Sequence, residues 1–185
     1  MKDLSRRVFY KQSLLYWRYV VLLMGSGDML DEAGPPKMDE VLSWDSKEDD
    51  PKAYGVAMSL KIRLRTMFGQ YDEAADLSLK VGDSYNTVAP AHGSIMADTF
   101  CRGLALVAMA RKTNLRKYKF AAKKIHSIIK KWVSKGNPNV KHYDKLMNAE
   151  MAALNGDSDA AEGWYQSAIV IAGRAGILYD AALAK

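Results

Sequence analysis

Between Lys52 and Arg174, apolar side chains recur at three- and four-residue intervals in segments of about 12 to 20 residues, separated by turns of two to four. Segments with that period are amphipathic helices, and links that short make consecutive helices antiparallel. The chain is therefore expected to be all-α: a right-handed stack of three to four antiparallel helical hairpins. Ala53 to Phe68 reads as one helix, Gly69-Gln70 as a turn and Tyr71 to Tyr85 as its partner. Asn86 to Pro90 interrupts. Gly93 to Lys112 follows, with a centre, Leu104 to Ala110, that is apolar nearly all round and must be covered by neighbours. Thr113 or Asn114 is expected to cap the next helix, which runs to Ser134 and stops at Lys135-Gly136-Asn137-Pro138. Val140 to Asn155 and Ser158 to Arg174 flank Gly156-Asp157, and Ile177 to Lys185 begins a further helix.

Upstream, residues 4–24 read as one helix with Val8, Leu15, Tyr19 and Leu22, and again Phe9, Tyr16, Val20 and Leu23, on a buried face. Gly25, Gly27 and Asp28 end it. From Asp28 to Pro51, nine carboxylates face two lysines, a net charge of −7. Such a stretch buries too little apolar surface to offset its ordering entropy, so it reads as an acidic loop with one short helical turn around Met38 to Trp44. Three regions are expected: a packing helix (1–27), the acidic loop (28–51) and the repeats (52–185), the last expected to be incomplete at their C-terminal end.

The chemistry the composition excludes is substantial. Five prolines and 13 glycines in 185 residues are too few for many short strands joined by tight turns. One cysteine, Cys101, allows no internal disulfide and no thiolate-rich zinc site, and a reducing, cytoplasmic setting follows. Leu14 to Met24 is about half a membrane span and contains Arg18, so no transmembrane segment is expected. Lys2, Arg6, Arg7 and Lys11 look like part of a mitochondrial presequence, but Asp3 and the aromatic content argue against one. No glycine-rich stretch leads to Lys-Ser/Thr, so a P-loop is missing. His92, His126 and His142 are scattered without metal-pair spacing, and Cys101 lies in an apolar helix where a small buried side chain is the simplest reading. No catalytic residue, cofactor or metal is expected.

The run from Gly156 to Ile169 resembles the second half of a tetratricopeptide repeat: Gly156, Ala161, Tyr165 and Ala168 stand at the turn, small, aromatic and small positions. Small residues let helices approach to about 8 Å between axes, and the aromatic fills the gap to the next hairpin. Gly69, Tyr71 and Ala74 repeat the turn and first small position, but Ser78 and Val81 replace the later aromatic and alanine. Ala149 supplies the small residue of the preceding helix.

The runs Leu14 to Arg18, Lys131 to Asn137 and Ala168 to Ile177, with Asp180 to Ala184, are similar to the helical-repeat region of very large signalling proteins. In these, a protein-kinase-like domain and an AAA-type NTPase precede the repeats, and a sensor, histidine-kinase or nucleotide-cyclase domain follows. The resemblance covers most of residues 10–185 and implies a non-catalytic region that couples domains. It makes a fragment of such a protein the expected reading, and a cis-linked signalling domain a partner.

Charge supplies the last feature. From Thr99 to Tyr143 there is no Asp or Glu, against twelve Lys and Arg. In the helix 114–134, Tyr118, Ala121, Ala122, Ile125, Ile128, Ile129, Trp132 and Val133 share one face, while Lys117, Lys123, Lys124, Lys130 and Lys131 lie away from it. Calmodulin targets and membrane-surface helices share this pattern, as does a packed helix with a solvated basic side. The basic side would attract an acidic segment or polyanion, and the loop 28–51 is expected to screen it. Nucleic acid is less well served, because Tyr118 and Trp132 fall on the apolar face and leave little for base stacking. The expected function is a scaffold that binds a protein segment or couples domains, with Arg63, His142, Lys145 and Asn148 as contacts on a concave face. The runner-up is a regulatory fragment of a kinase or cyclase; polyanion or membrane-surface binding through 114–134 is a third reading. Ile177, Leu178, Tyr179 and Leu183 would leave an apolar C-terminal helix open to a second subunit.

Overall fold

The computed structural model describes residues 2–24, 50–88, 90 and 93–177, with side chains from Tyr10 onward. All regular structure among them is helical. The elements are α1 (Lys2–Leu23), α2 (Pro51–Met67), α3 (Tyr71–Val81), α4 (Ser84–Val88), α5 (Ser94–Thr113), α6 (Arg116–Ser134), a 3₁₀ turn (Pro138–Val140), α7 (Lys141–Leu154) and α8 (Ser158–Arg174). The acidic stretch up to residue 49, including the turn expected at Met38 to Trp44, and the helix expected over Ile177 to Lys185, beyond its first residue, lie outside the described residues.

Local chemistry sets the helix boundaries. Asp50 starts α2, its carboxylate accepting from the Ala53 amide at 2.9 Å with Pro51 in the first turn, and Asp157 caps α8 through Ala160. Gly156 ends α7 at φ +81°: its amide donates to Ala153 and that of Asp157 to Ala152, a Schellman closure that favours glycine. Gly69 ends α2 with the same pair of bonds, to Thr66 and Arg65. Two boundaries differ from expectation. The helix expected from Tyr71 to Tyr85 breaks at Gly82, φ +53°, into α3 and α4. Asn114 does not cap the following helix; it closes α5 in a left-handed conformation, φ 56°, and Leu115 stands at the start of α6.

Helix α5 is the hub. It packs against α2, α3, α6 and α7, which accounts for the burial of Ala105, Leu106, Val107, Met109 and Ala110. Further pairings are α2 with α3, α6 with α7 and α7 with α8, and α1 lies on α2. Phe100 of α5 stacks on Tyr143 of α7, centroids 4.2 Å apart. The small residues that permit close approach are buried: Ala74, Ala149, Ala161 and Ala168. Tyr165 is half-buried and its hydroxyl donates to Glu150 at 2.6 Å, whereas Tyr71, expected among the packing residues, is exposed at the first turn of α3.

The inward positions also repeat at a fixed spacing. Ala161, Tyr165, Ala168 and Ala172 of α8 stand four, three and four residues apart, as do Tyr118, Ala122, Ile125 and Ile129 of α6, and Ala74, Ser78, Val81 and Tyr85 across α3 and α4. In α6 the small and large residues are exchanged, with Tyr118 where the others carry alanine and Ala122 where α8 carries tyrosine.

Candidate functional site

Helix α6 turns Tyr118, Ala122, Ile125 and Ile129 into the core, and this fixes what its other side presents. Lys117, Lys123, Lys124, Lys130 and Lys131 are all exposed. One edge is partly neutralised by the preceding hairpin: Lys117 lies 3.8 Å from Asp76 and Lys124 3.7 Å from Asp83. The Tyr118 hydroxyl donates to the same Asp76 carboxylate at 2.6 Å, which ties α6 to α3. Among the described residues no carboxylate lies within 4.0 Å of Lys123, Lys130 or Lys131. These three form a ridge of exposed positive charge with no carboxylate partner among the described residues.

Asp50, the described end of the acidic stretch, does not reach this ridge. It lies 3.6 Å from Lys11 of α1, and both side chains are buried. Residues 28–49, expected to screen α6, fall outside the described residues.

The four residues expected on a concave face all have partners within the described chain. Arg63 is half-buried with its guanidinium 5.0 Å from the ring centroid of Tyr19, so α1 covers it. His142 is buried against Tyr143, centroids 4.0 Å apart, rather than open to a ligand. Lys145 extends over the Trp164 ring of α8 at 4.6 Å. Asn148 donates to Asp144 at 3.2 Å, in the contact between α6 and α7. Arg63 and Lys145 are taken up by aromatic rings of other helices, which periodicity alone does not reveal, whereas His142 and Asn148 contact residues of their own helix.

Sequence reasoning missed two buried polar groupings. In α5, Asp98 and Arg102 are both buried. The Arg102 guanidinium donates to Asp83 at 3.0 Å and lies 3.9 Å from Asp98. Burial pushes the Asp98 carboxyl above its ordinary value, against the opposing pull of Arg102, Ser59 and Arg63. The available signal was an Asp and an Arg four residues apart within an otherwise apolar helix, since charges there must be paired. Beside this pair Tyr85 and Ser94 share a hydrogen bond of 2.6 Å, with the Tyr16 hydroxyl 3.4 Å from each.

The second grouping joins α6 to α7: His126 Nε2 lies 3.8 Å from Asp144, and both residues are buried. Burial and Lys130 hold the His126 imidazole below its usual pKa, and Asp144 and Asn148 only partly oppose this. A lowered folded value means that stability is fully present above the unfolded value near 6.5 and drains away as pH falls below it. His126→Asn is therefore expected to lose less stability than the parent between pH 7 and pH 5 in urea melts; equal losses would remove His126 from the account.

Chemically these groupings are ion pairs and hydrogen bonds within the packing. Among the described residues no cluster of three His, Cys, Asp or Glu could hold a metal, and Cys101 is buried in α5. No helix among them is long and apolar enough to cross a membrane. Comparison with protein-family models, curated proteins and solved structures finds no match to this chain.

Proposed function

We propose that this chain is a non-catalytic interaction scaffold, a tetratricopeptide-like stack in which α2–α3, α5–α6 and α7–α8 are successive hairpins. The observation that carries the reading is the order of packing: α5 touches both helices of the hairpin before it, and α7 touches both helices of the α5–α6 pair. The recurrence of the same inward spacing in all three second helices supports it. Neighbour-only packing of this kind extends a surface in one direction, which suits holding a segment of another protein or spacing two domains. The likeness of residues 10–185 to the repeats of large signalling proteins supports domain coupling, with the regulatory fragment of a kinase or cyclase as the related alternative.

The exposed lysine ridge of α6 favours an acidic partner. Fluorescence anisotropy with Asp/Glu-rich peptides of about 20 residues is expected to give dissociation constants in the range of about 1–100 μM that weaken as salt rises. Changing Lys123, Lys130 and Lys131 together to Glu is expected to abolish binding. Absence of binding to any acidic peptide, or binding indifferent to both salt and the triple change, would remove the ridge from the proposal. Heparin provides the comparison with a polyanion: retention on it without peptide binding supports the polyanion reading instead.

A further inference from the structure

From Tyr10 onward, helix α1 is inverted in its distribution of polarity. Between Tyr10 and Met24 the only charged residues are Lys11 and Arg18, and both are buried, at 2% and 8% exposure. The solvent side carries Tyr10 at 58%, Trp17 at 51%, Val20 at 48%, Leu23 at 42% and Met24 at 72% exposure, together with Ser13. Packing fixes this orientation. Lys11 pairs with Asp50, and Asp50 also caps α2, so rolling α1 to hide the apolar stripe would pull a charge from its partner and disturb a helix start.

Tyr10, Ser13, Trp17, Val20 and Met24 follow one another at intervals of three, four, three and four residues, the spacing of a seam that fits against another helix. A lipid-surface helix shows lysines or arginines beside its apolar face, and along this stripe, between Tyr10 and Met24, both basic residues point inward. The seam carries no charge to complement, and its ends mirror each other: Tyr10 and Met24 each lie seven residues from Trp17.

We propose that the outer face of α1 is an interface between two copies of this chain, with the two α1 helices antiparallel about a dyad at Trp17. Tyr10 of one copy then packs near Met24 of the other, Ser13 leaves room for Val20, and the two indoles meet offset at the centre. Taking aromatic side chains at roughly 150–250 Å² each, the exposed stripe offers about 500 Å² per copy. The pair then buries about 1,000 Å², the lower bound for a specific interface. The partner is isologous, so one apolar stripe satisfies both sides.

Sedimentation equilibrium of the full chain is expected to give twice the 20.6 kDa chain mass at about 100 μM, a concentration at which a modest interface associates. Trp17→Glu, which brings two carboxylates together at the dyad, and Val20→Gln are each expected to give a monomer with unchanged helical circular dichroism. Phe120→Glu, on the exposed side of α6, is expected to leave the dimer intact. A monomeric parent chain, a dimer surviving both α1 changes, or loss of the dimer in Phe120→Glu would each overturn the proposal. So would a monomer that co-sediments with phosphatidylcholine vesicles and loses this in Trp17→Glu, which would assign the stripe to lipid. None of these outcomes depends on peptide binding by α6, so this interface and the scaffold reading stand or fall separately.

Discussion

Arg102→Met is expected to destabilise the protein by about 3–5 kcal/mol, because it leaves Asp98 buried without its nearest cation. For a chain of this length that is about 10 °C in melting temperature. Asp98 has an unusual setting: the second turn of a helix packed against four others, at 4% exposure. Ser59 and Arg63 would remain as weaker support. Acidification should partly rescue the variant. The Asp98 carboxyl already sits above its ordinary value of 3.8 in the folded protein, so its contribution is fully present below that value and is lost as pH rises through the folded one. Removing Arg102 raises the folded value further, and the variant should recover stability as pH falls from 7 towards 4, near the ordinary carboxyl value. Asp98→Leu combined with Arg102→Met should recover most of the loss at pH 7, since an apolar pair needs no desolvation. Urea melts of the three proteins at both pH values measure this; a single variant with parental stability, or a double variant no better than the single, would show that the pair is not a coupled buried unit.

The helices were legible in the sequence because helix period and helix burial are the same signal, and the apolar centre of α5 was legible as a segment needing cover on all sides. Where the reading failed, two patterns overlapped. Val81 and Tyr85 continue the inward spacing of Ala74 and Ser78 straight through Gly82, so the periodicity crosses a break in the backbone without changing phase. In the α5–α6 pair the inward spacing is kept, but Tyr118 and Ala122 exchange large and small relative to α8, so no motif shows in the sequence. In α1, two adjacent apolar stripes were read as one buried face. Leu15 and Tyr19 are buried, but Val20 and Leu23 are exposed, because Lys11 and Arg18 take the inner side.

The candidate site divides the same way. The lysines of α6 were readable because a lysine opposite an apolar stripe has only solvent to face. Arg63, His142, Lys145 and Asn148 were not, because their surroundings depend on Tyr19, Tyr143, Trp164 and Asp144. All four partners are aromatic or charged, and two of the contacts, Arg63 with Tyr19 and Lys145 with Trp164, join different helices with no fixed sequence spacing.

Three helices approach closely at Gly103, and this yields the second large effect. A Cβ built there would lie 2.9 Å from Met147 Sδ, 3.0 Å from Ile125 Cγ2 and 3.1 Å from Met147 Cε. These atoms belong to α7 and α6, and both residues are buried, so α5, α6 and α7 meet at one point with no room for a side chain. Gly103→Ala combines two opposed effects. Alanine is about 1 kcal/mol better than glycine inside a helix, and that gain offsets the cost of displacing the flexible Met147 thioether. A change within about 1 kcal/mol of the parent is expected. Gly103→Leu has no such offset: three further carbons must enter a closed junction, forcing α7 away from α5, and a loss of about 3 kcal/mol is expected, the upper end for overpacking. Met147→Ala in the same chain should return part of that loss by vacating the space the leucine needs, although alone it should destabilise by about 2–5 kcal/mol through the cavity it leaves. Recovery in the double variant is thus the specific sign that these two side chains compete for one volume. Strictly additive losses would mean that α5 and α7 are not held together at Gly103, and the close packing proposed between the second and third hairpins would lose its anchor.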